Sequence, residues 1–104
     1  MTSQPLRDKS ILLELVEKAV KAGGSEIEIE YKDGQERVFA VSQGIGVGIA
    51  SLDSKSEQAR SLRDELYRIA KKKRMIFLGR GYGLQVRIFD SFGEDAFRII
   101  IKRS

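Results

Sequence analysis

From Glu26 to Tyr31 polar and apolar residues alternate strictly, and the run leads directly into Asp33-Gly34. Nothing else in the chain constrains its fold as much. Period-two alternation belongs to a strand with one wet and one dry face, so Ile27, Ile29 and Tyr31 are expected on the buried side and Glu26, Glu28 and Glu30 in water. Asp-Gly is a two-residue hairpin turn, and it sets Lys32 opposite Gln35, Glu30 opposite Arg37 and Ile29 opposite Val38. A return strand is expected from about Glu36 to Gln43, with Ile45-Gly46-Val47-Gly48-Ile49 as a third, glycine-thinned strand.

A sheet with a dry face needs a cover, and two amphipathic segments supply it. Leu12, Leu15, Val16, Ala19 and Val20 recur at helical spacing over residues 8–22, with Asp8 as the expected N-cap and Gly23-Gly24 as the end. Ser54 followed three residues later by Glu57 has the form of a capping box, and it opens a second helix with the stripe Ala59, Leu62, Leu66, Ile69 and Ala70. Lys71, Lys72, Lys73 and Arg74 fall at its C-terminal end, where the helix dipole favours cations. After them come Met75–Leu78, the glycine-rich Gly79-Arg80-Gly81-Tyr82-Gly83, and two alternating strands. These are Leu84–Phe89, with Leu84, Val86 and Ile88 inward, and Ala96–Lys102, with Phe97, Ile99 and Ile101 inward. Asp90–Asp95 is the turn between them. The expected order is α-β-β-β-α-β-β-β, an α+β fold with two helices packed on an antiparallel sheet.

A length of 104 residues predicts a single α+β domain over 1–104, with a flexible segment at 1–7. Apolar residues at 41% and charged residues at 33% fit a globular chain rather than a disordered one. No apolar run approaches the roughly 20 residues that span a bilayer, and Met1–Ser10 lacks the apolar core of a secretory leader. No membrane insertion and a cytoplasmic location are therefore expected. The chain has no His, Cys or Trp, so the usual zinc and iron ligands, thiol nucleophiles and a neutral-pH base are missing. No enzymatic activity, metal site or cofactor is expected.

Charge is unevenly distributed. Residues 1–52 carry six Lys/Arg against eight Asp/Glu, a net of −2, and residues 53–104 carry thirteen against seven, a net of +6. A basic half suits a nucleic acid, an anionic membrane surface or an acidic protein patch, and a plain solvated surface is the alternative. The candidate contact residues are Lys71, Lys72, Lys73, Arg74, Arg80, Tyr82, Arg87, Arg98 and Lys102. Strand parity places Arg87, Arg98 and Lys102 on one face with exposed Phe89 and Ile100. Arg80-Gly81-Tyr82-Gly83 matches the start of the ribonucleoprotein strand signature, but Leu84, Gln85 and Arg87 break the rest of it. Gly44-Ile45-Gly46-Val47-Gly48 does not open into a helix, as a dinucleotide loop must. The three glutamates of the first strand point outward in parallel rather than converging on a cation.

The helix ending in Gly23-Gly24, the strand Ser25-Glu26-Ile27-Glu28-Ile29-Glu30, the later turn Gly81-Tyr82-Gly83 and the closing Phe97-Arg98-Ile99-Ile100 together carry a resemblance. The chain resembles the N-terminal domain of the type II secretion and type IV pilus assembly ATPases. That family's aspartate and histidine in the first strand are here Glu26 and Glu28. Its two arginines after the Gly-x-Gly turn fall on Leu84 and Val86, with Arg87 nearest. The 104 residues hold no Gly-x-x-x-x-Gly-Lys-Ser/Thr phosphate loop, so the resemblance implies the accessory domain without the motor core. It implies a non-catalytic domain that binds protein, either a second copy of itself or a motor ATPase subunit. A nucleic-acid-binding module using the basic half is the alternative.

Overall fold

The computed structural model describes residues 10–78 and 81–103. Its elements are α1 (Ile11–Lys21), β1 (Glu26–Lys32), β2 (Gln35–Ser42), β3 (Ile45–Asp53), α2 (Glu57–Lys72), β4 (Ile76–Leu78), β5 (Tyr82–Ser91) and β6 (Glu94–Arg103). The fold is α+β in the expected order. Six strands form one sheet in the order β3-β2-β1-β6-β5-β4, with every neighbouring pair antiparallel. It consists of two three-stranded meanders, the second closing on the first where β6 pairs with β1.

The alternation of β1 does what its period requires. Ile27 and Ile29 are buried, and the hairpin sets Lys32 against Gln35, Glu30 against Arg37 and Ile29 against Val38. Both helices cover the same face. Leu12, Leu15, Val16 and Ala19 of α1 and Leu62, Leu66 and Ile69 of α2 share one cluster with the inward residues of β1, β2, β5 and β6. Each large side chain in that cluster gains roughly 1.5–3 kcal/mol by leaving water. Ala70 packs at the margin and is only partly buried. No helix among the described residues is long and apolar enough to cross a membrane.

Several expectations need correction. Asp8 lies outside the described residues, and Ser10 caps α1, its Oγ accepting from the Leu13 N–H at 3.0 Å. Ser54 does not cap α2. Lys55 N–H bonds the Asp53 carboxylate at 2.9 Å and the Ser56 hydroxyl bonds the Asp53 carbonyl at 2.7 Å. This Asp53–Ser56 turn moves the helix start onward, and Ser56 Oγ takes the Ala59 N–H at 3.1 Å. Ser54 is released to other work.

The third strand runs on to Asp53 rather than stopping at Ile49, because a bulge absorbs one residue. Phe39 faces Gly48 but Val38 faces Ala50, and Ile49 and Ala50 both pack against the core. Tyr31 and Ile88 are exposed rather than inward, since both sit toward the hairpin ends of their strands, outside the buried cluster.

The six-residue turn expected over Asp90–Asp95 contracts to two residues, Phe92-Gly93, with Ser91 paired to Glu94. Their φ angles of 52° and 85° match those of Asp33-Gly34 (53° and 80°) and Gln43-Gly44 (54° and 81°). All three have the positive-φ pair of a type I′ turn. Phe is a poor residue for a left-handed position, which is why residue type did not reveal the turn.

On the face opposite the helices, Gly83 is the point of closest approach. A Cβ there would lie 2.6 Å from Met75 Sδ and 3.3 Å from Phe77 Cε1. Only glycine lets Met75 and Phe77 lie over this part of β5.

Candidate functional site

Strand pairing lays out in rows the face opposite the helices, which neither described helix covers. One row reads Gly48, Phe39, Glu28, Arg98, Arg87 across five strands, and the next reads Gly46, Val41, Glu26, Ile100, Gln85. Lys102 lies opposite Gly83, and Gly83 opposite Phe77. Of the predicted contact residues, Arg87, Arg98 and Lys102 therefore share this face as expected. Phe89 and Ile100 are half-buried there rather than fully exposed, while Phe77 is 70% exposed.

Arg98 is not a free cation. Its guanidinium donates to Glu28 Oε2 at 2.8 Å and lies 3.9 Å from Glu26 Oε1, with its central carbon 5.4 Å from the centre of the Phe89 ring. The charge expected to serve a partner is largely spent on β1. Arg87, directly opposite Arg98, has no ion-pair partner among the described residues. A shallow hollow of about 690 Å³ lies beside Arg98, lined by Glu26, Glu28, Glu30, Phe39 and Val41.

The remaining predicted residues do not converge on this face. Lys71 and Lys72 end α2, in the helix layer, and Lys73 is its left-handed cap at φ 52°. Arg74 is exposed just beyond. Tyr82 packs against the core on the helix side, and Arg80 lies outside the described residues.

A second polar cluster was not anticipated. Glu36 is 4% exposed, and its Oε2 accepts from Ser54 Oγ at 2.7 Å and from Arg63 Nη1 at 3.0 Å. Arg63 Nη2 also donates to the Ser54 carbonyl at 3.3 Å. Nearby, Tyr67 donates to Asp95 Oδ2 at 2.6 Å and its ring meets Phe97 edge-on at 5.1 Å. The bond to Asp95, followed by burial, pushes the Tyr67 phenol above its ordinary range. These groups border a cleft of about 430 Å³ between α2 and the ends of the hairpins. The signal for Glu36 was present, because it shares strand parity with Val38 and Ala40 and so had to point inward.

Ser54 beside a carboxylate has the outline of a nucleophile and its base. Arg63 holds the same carboxylate oxygen, however, and the trio forms an ion-pair brace between β2 and α2. Among the described residues no three or more Asp/Glu side chains come together in a way that could hold a metal ion.

Compared with known proteins, the chain matches no family model, and no curated protein matches it.

Proposed function

We propose that this chain is a non-catalytic protein-interaction domain that presents the uncovered face of its sheet to a protein partner. The observation that supports this reading is the mixture on that face. Phe77, Phe89, Phe39, Val41 and Ile100 stand among Arg87, Lys102 and the β1 glutamates, with neither described helix over them. Apolar groups held beside charges of both signs suit a protein surface, whose contacts are apolar at the centre and polar at the rim. The resemblance to the accessory domain of secretion and pilus ATPases makes a motor ATPase subunit the partner to test first.

Nucleic acid is the weaker reading. A phosphate backbone crossing Arg87 and Arg98 would also meet Glu26 and Glu28, and Arg98 is already neutralised.

The experiment is a titration of the purified chain against the purified motor ATPase of the same cell, and against labelled single-stranded RNA and DNA, at two salt concentrations. Binding to the motor that survives high salt and is lost in Phe77→Ser supports the proposal. Steeply salt-dependent binding to RNA or DNA, with none to the motor, overturns it. The chain alone should hydrolyse ATP no faster than a blank, and turnover abolished by a single substitution would sink the non-catalytic reading.

A further inference from the structure

The structure assigns the outer edge of β3, unpaired among the described residues, to a second copy of this chain, paired antiparallel about a two-fold axis at Val47. This inference rests on the edge of the sheet, not on its uncovered face, and stands independently of the reading above.

The backbone makes the first case. Residues flanking a two-residue hairpin turn form a hydrogen-bonded pair, and pairs then alternate along the ladder. Ser42 and Ile45 flank Gln43-Gly44, so Ile45 and Val47 spend their N–H and C=O groups on β2. Gly46 and Gly48 therefore direct theirs outward, at the edge of the sheet, which is unpaired among the described residues. With Val47 on the axis, Gly46 of one copy faces Gly48 of the other, and each such pair can exchange both N–H···O=C bonds. The same register brings Val47 against Val47 and Ile45 against Ile49 on the helix side. Ile45 is 70% exposed and Val47 55% exposed, so this pairing covers two large apolar groups that the single chain leaves in water.

Charge makes the second case. From Gly44 to Leu52 there is no charged residue, in a chain that is 33% charged. Edge strands ordinarily carry lysines or prolines that repel a second strand. Here the only such device among the described residues is the bulge at Ile49, which falls at the outer end of the paired stretch, opposite Ile45 of the other copy. An uncharged segment can meet its own copy without opposing like charges. The contact is isologous, as a closed dimer requires, and its narrowness puts it in the weak class.

The test is sedimentation of the full chain over about a hundredfold range of concentration. A reversible monomer–dimer equilibrium is expected. Val47→Lys places two ammonium groups on the axis at a site already exposed in the monomer, and should weaken association by about tenfold or more with the monomer's circular dichroism unchanged. Phe77→Ser should leave association untouched. Because the chain has no cysteine of its own, Val47→Cys reports the register directly. Mild oxidation should convert it to a disulfide dimer far faster than Phe77→Cys, since axis-related residues bring their Cβ atoms to about 4.5–5.5 Å. A wild type that stays monomeric at the highest concentration overturns the inference. So does a Val47→Lys variant that still dimerises, or a Val47→Cys variant that couples no faster than Phe77→Cys.

Discussion

Two arginines tie the basic half of the chain to the acidic half, and they do so in opposite surroundings. Arg63 meets Glu36 where the carboxylate side chain is 5% exposed, and Arg98 meets Glu28 where the corresponding value is 24% and the arginine itself is 46% exposed. The charge imbalance of the sequence therefore has an internal use. Part of the +6 half answers the −2 half across the seam between the meanders and beneath α2. The surroundings decide what each pair is worth. A buried carboxylate deprived of its partner cannot fall back on water, whereas an exposed one can.

The largest effect expected from breaking this comparison is at Arg63. Arg63→Met leaves Glu36 buried with only the Ser54 hydroxyl, and should cost about 3 kcal/mol. For a domain of this size each kcal/mol moves the Tm by about 4–8 °C. Removing both charges in Glu36→Leu/Arg63→Met should restore most of the loss, because no unpaired ion remains in the interior. Thermal melts of the three proteins check this. If Arg63→Met melts within a degree or so of wild type, burial at Glu36 is not what holds the cluster.

The contrast also marks how far the sequence could be read. The Glu26–Tyr31 alternation and Asp33-Gly34 carried the first hairpin in full register, because period and turn chemistry agree there. The second meander was less legible. Phe92 occupies a left-handed position that residue type disfavours, so its turn read as a six-residue loop. Spacing pointed to Ser54 as the cap of α2, and the Asp53 turn gives that role to Ser56 through local hydrogen bonds that no spacing rule displays. Most of the candidate face was visible by parity, with Arg87, Arg98 and Lys102 together as expected. The partners of Arg98 were hidden because they depend on β6 joining β1, a long-range pairing that neither strand announces.

An intermediate effect belongs to Tyr67, which sits beside the buried pair but bonds an exposed partner. Tyr67→Phe removes the 2.6 Å bond to Asp95 while keeping the edge-on contact with Phe97, and should cost about 1 kcal/mol. The phenol is raised in the folded state, so it stays protonated where the unfolded chain has begun to lose its proton. The stability it contributes is fully present below the unfolded pKa of about 10 and is lost as pH rises through the folded value. Denaturant melts on either side of pH ~10 should show wild type losing stability that Tyr67→Phe does not lose. Equal losses in both proteins would mean the bond to Asp95 does not form in solution.

The smallest effect should come from the exposed seam. Arg98→Ala removes the 2.8 Å bond to Glu28, the longer contact to Glu26 and the stacking over Phe89. Exposed pairs are worth about 0.2–1 kcal/mol, and the ring contact adds at most a comparable amount at such a site. The loss should therefore be near 1 kcal/mol and should shrink in about 1 M salt, where the Debye length falls to about 3 Å. Arg63→Met should keep most of its cost under the same salt, because ions do not reach Glu36. Measuring both variants at low and high salt puts the two seams on one scale. If Arg98→Ala proves as costly as Arg63→Met and as insensitive to salt, the uncovered face is not open to solvent, and the docking surface proposed for it is already filled.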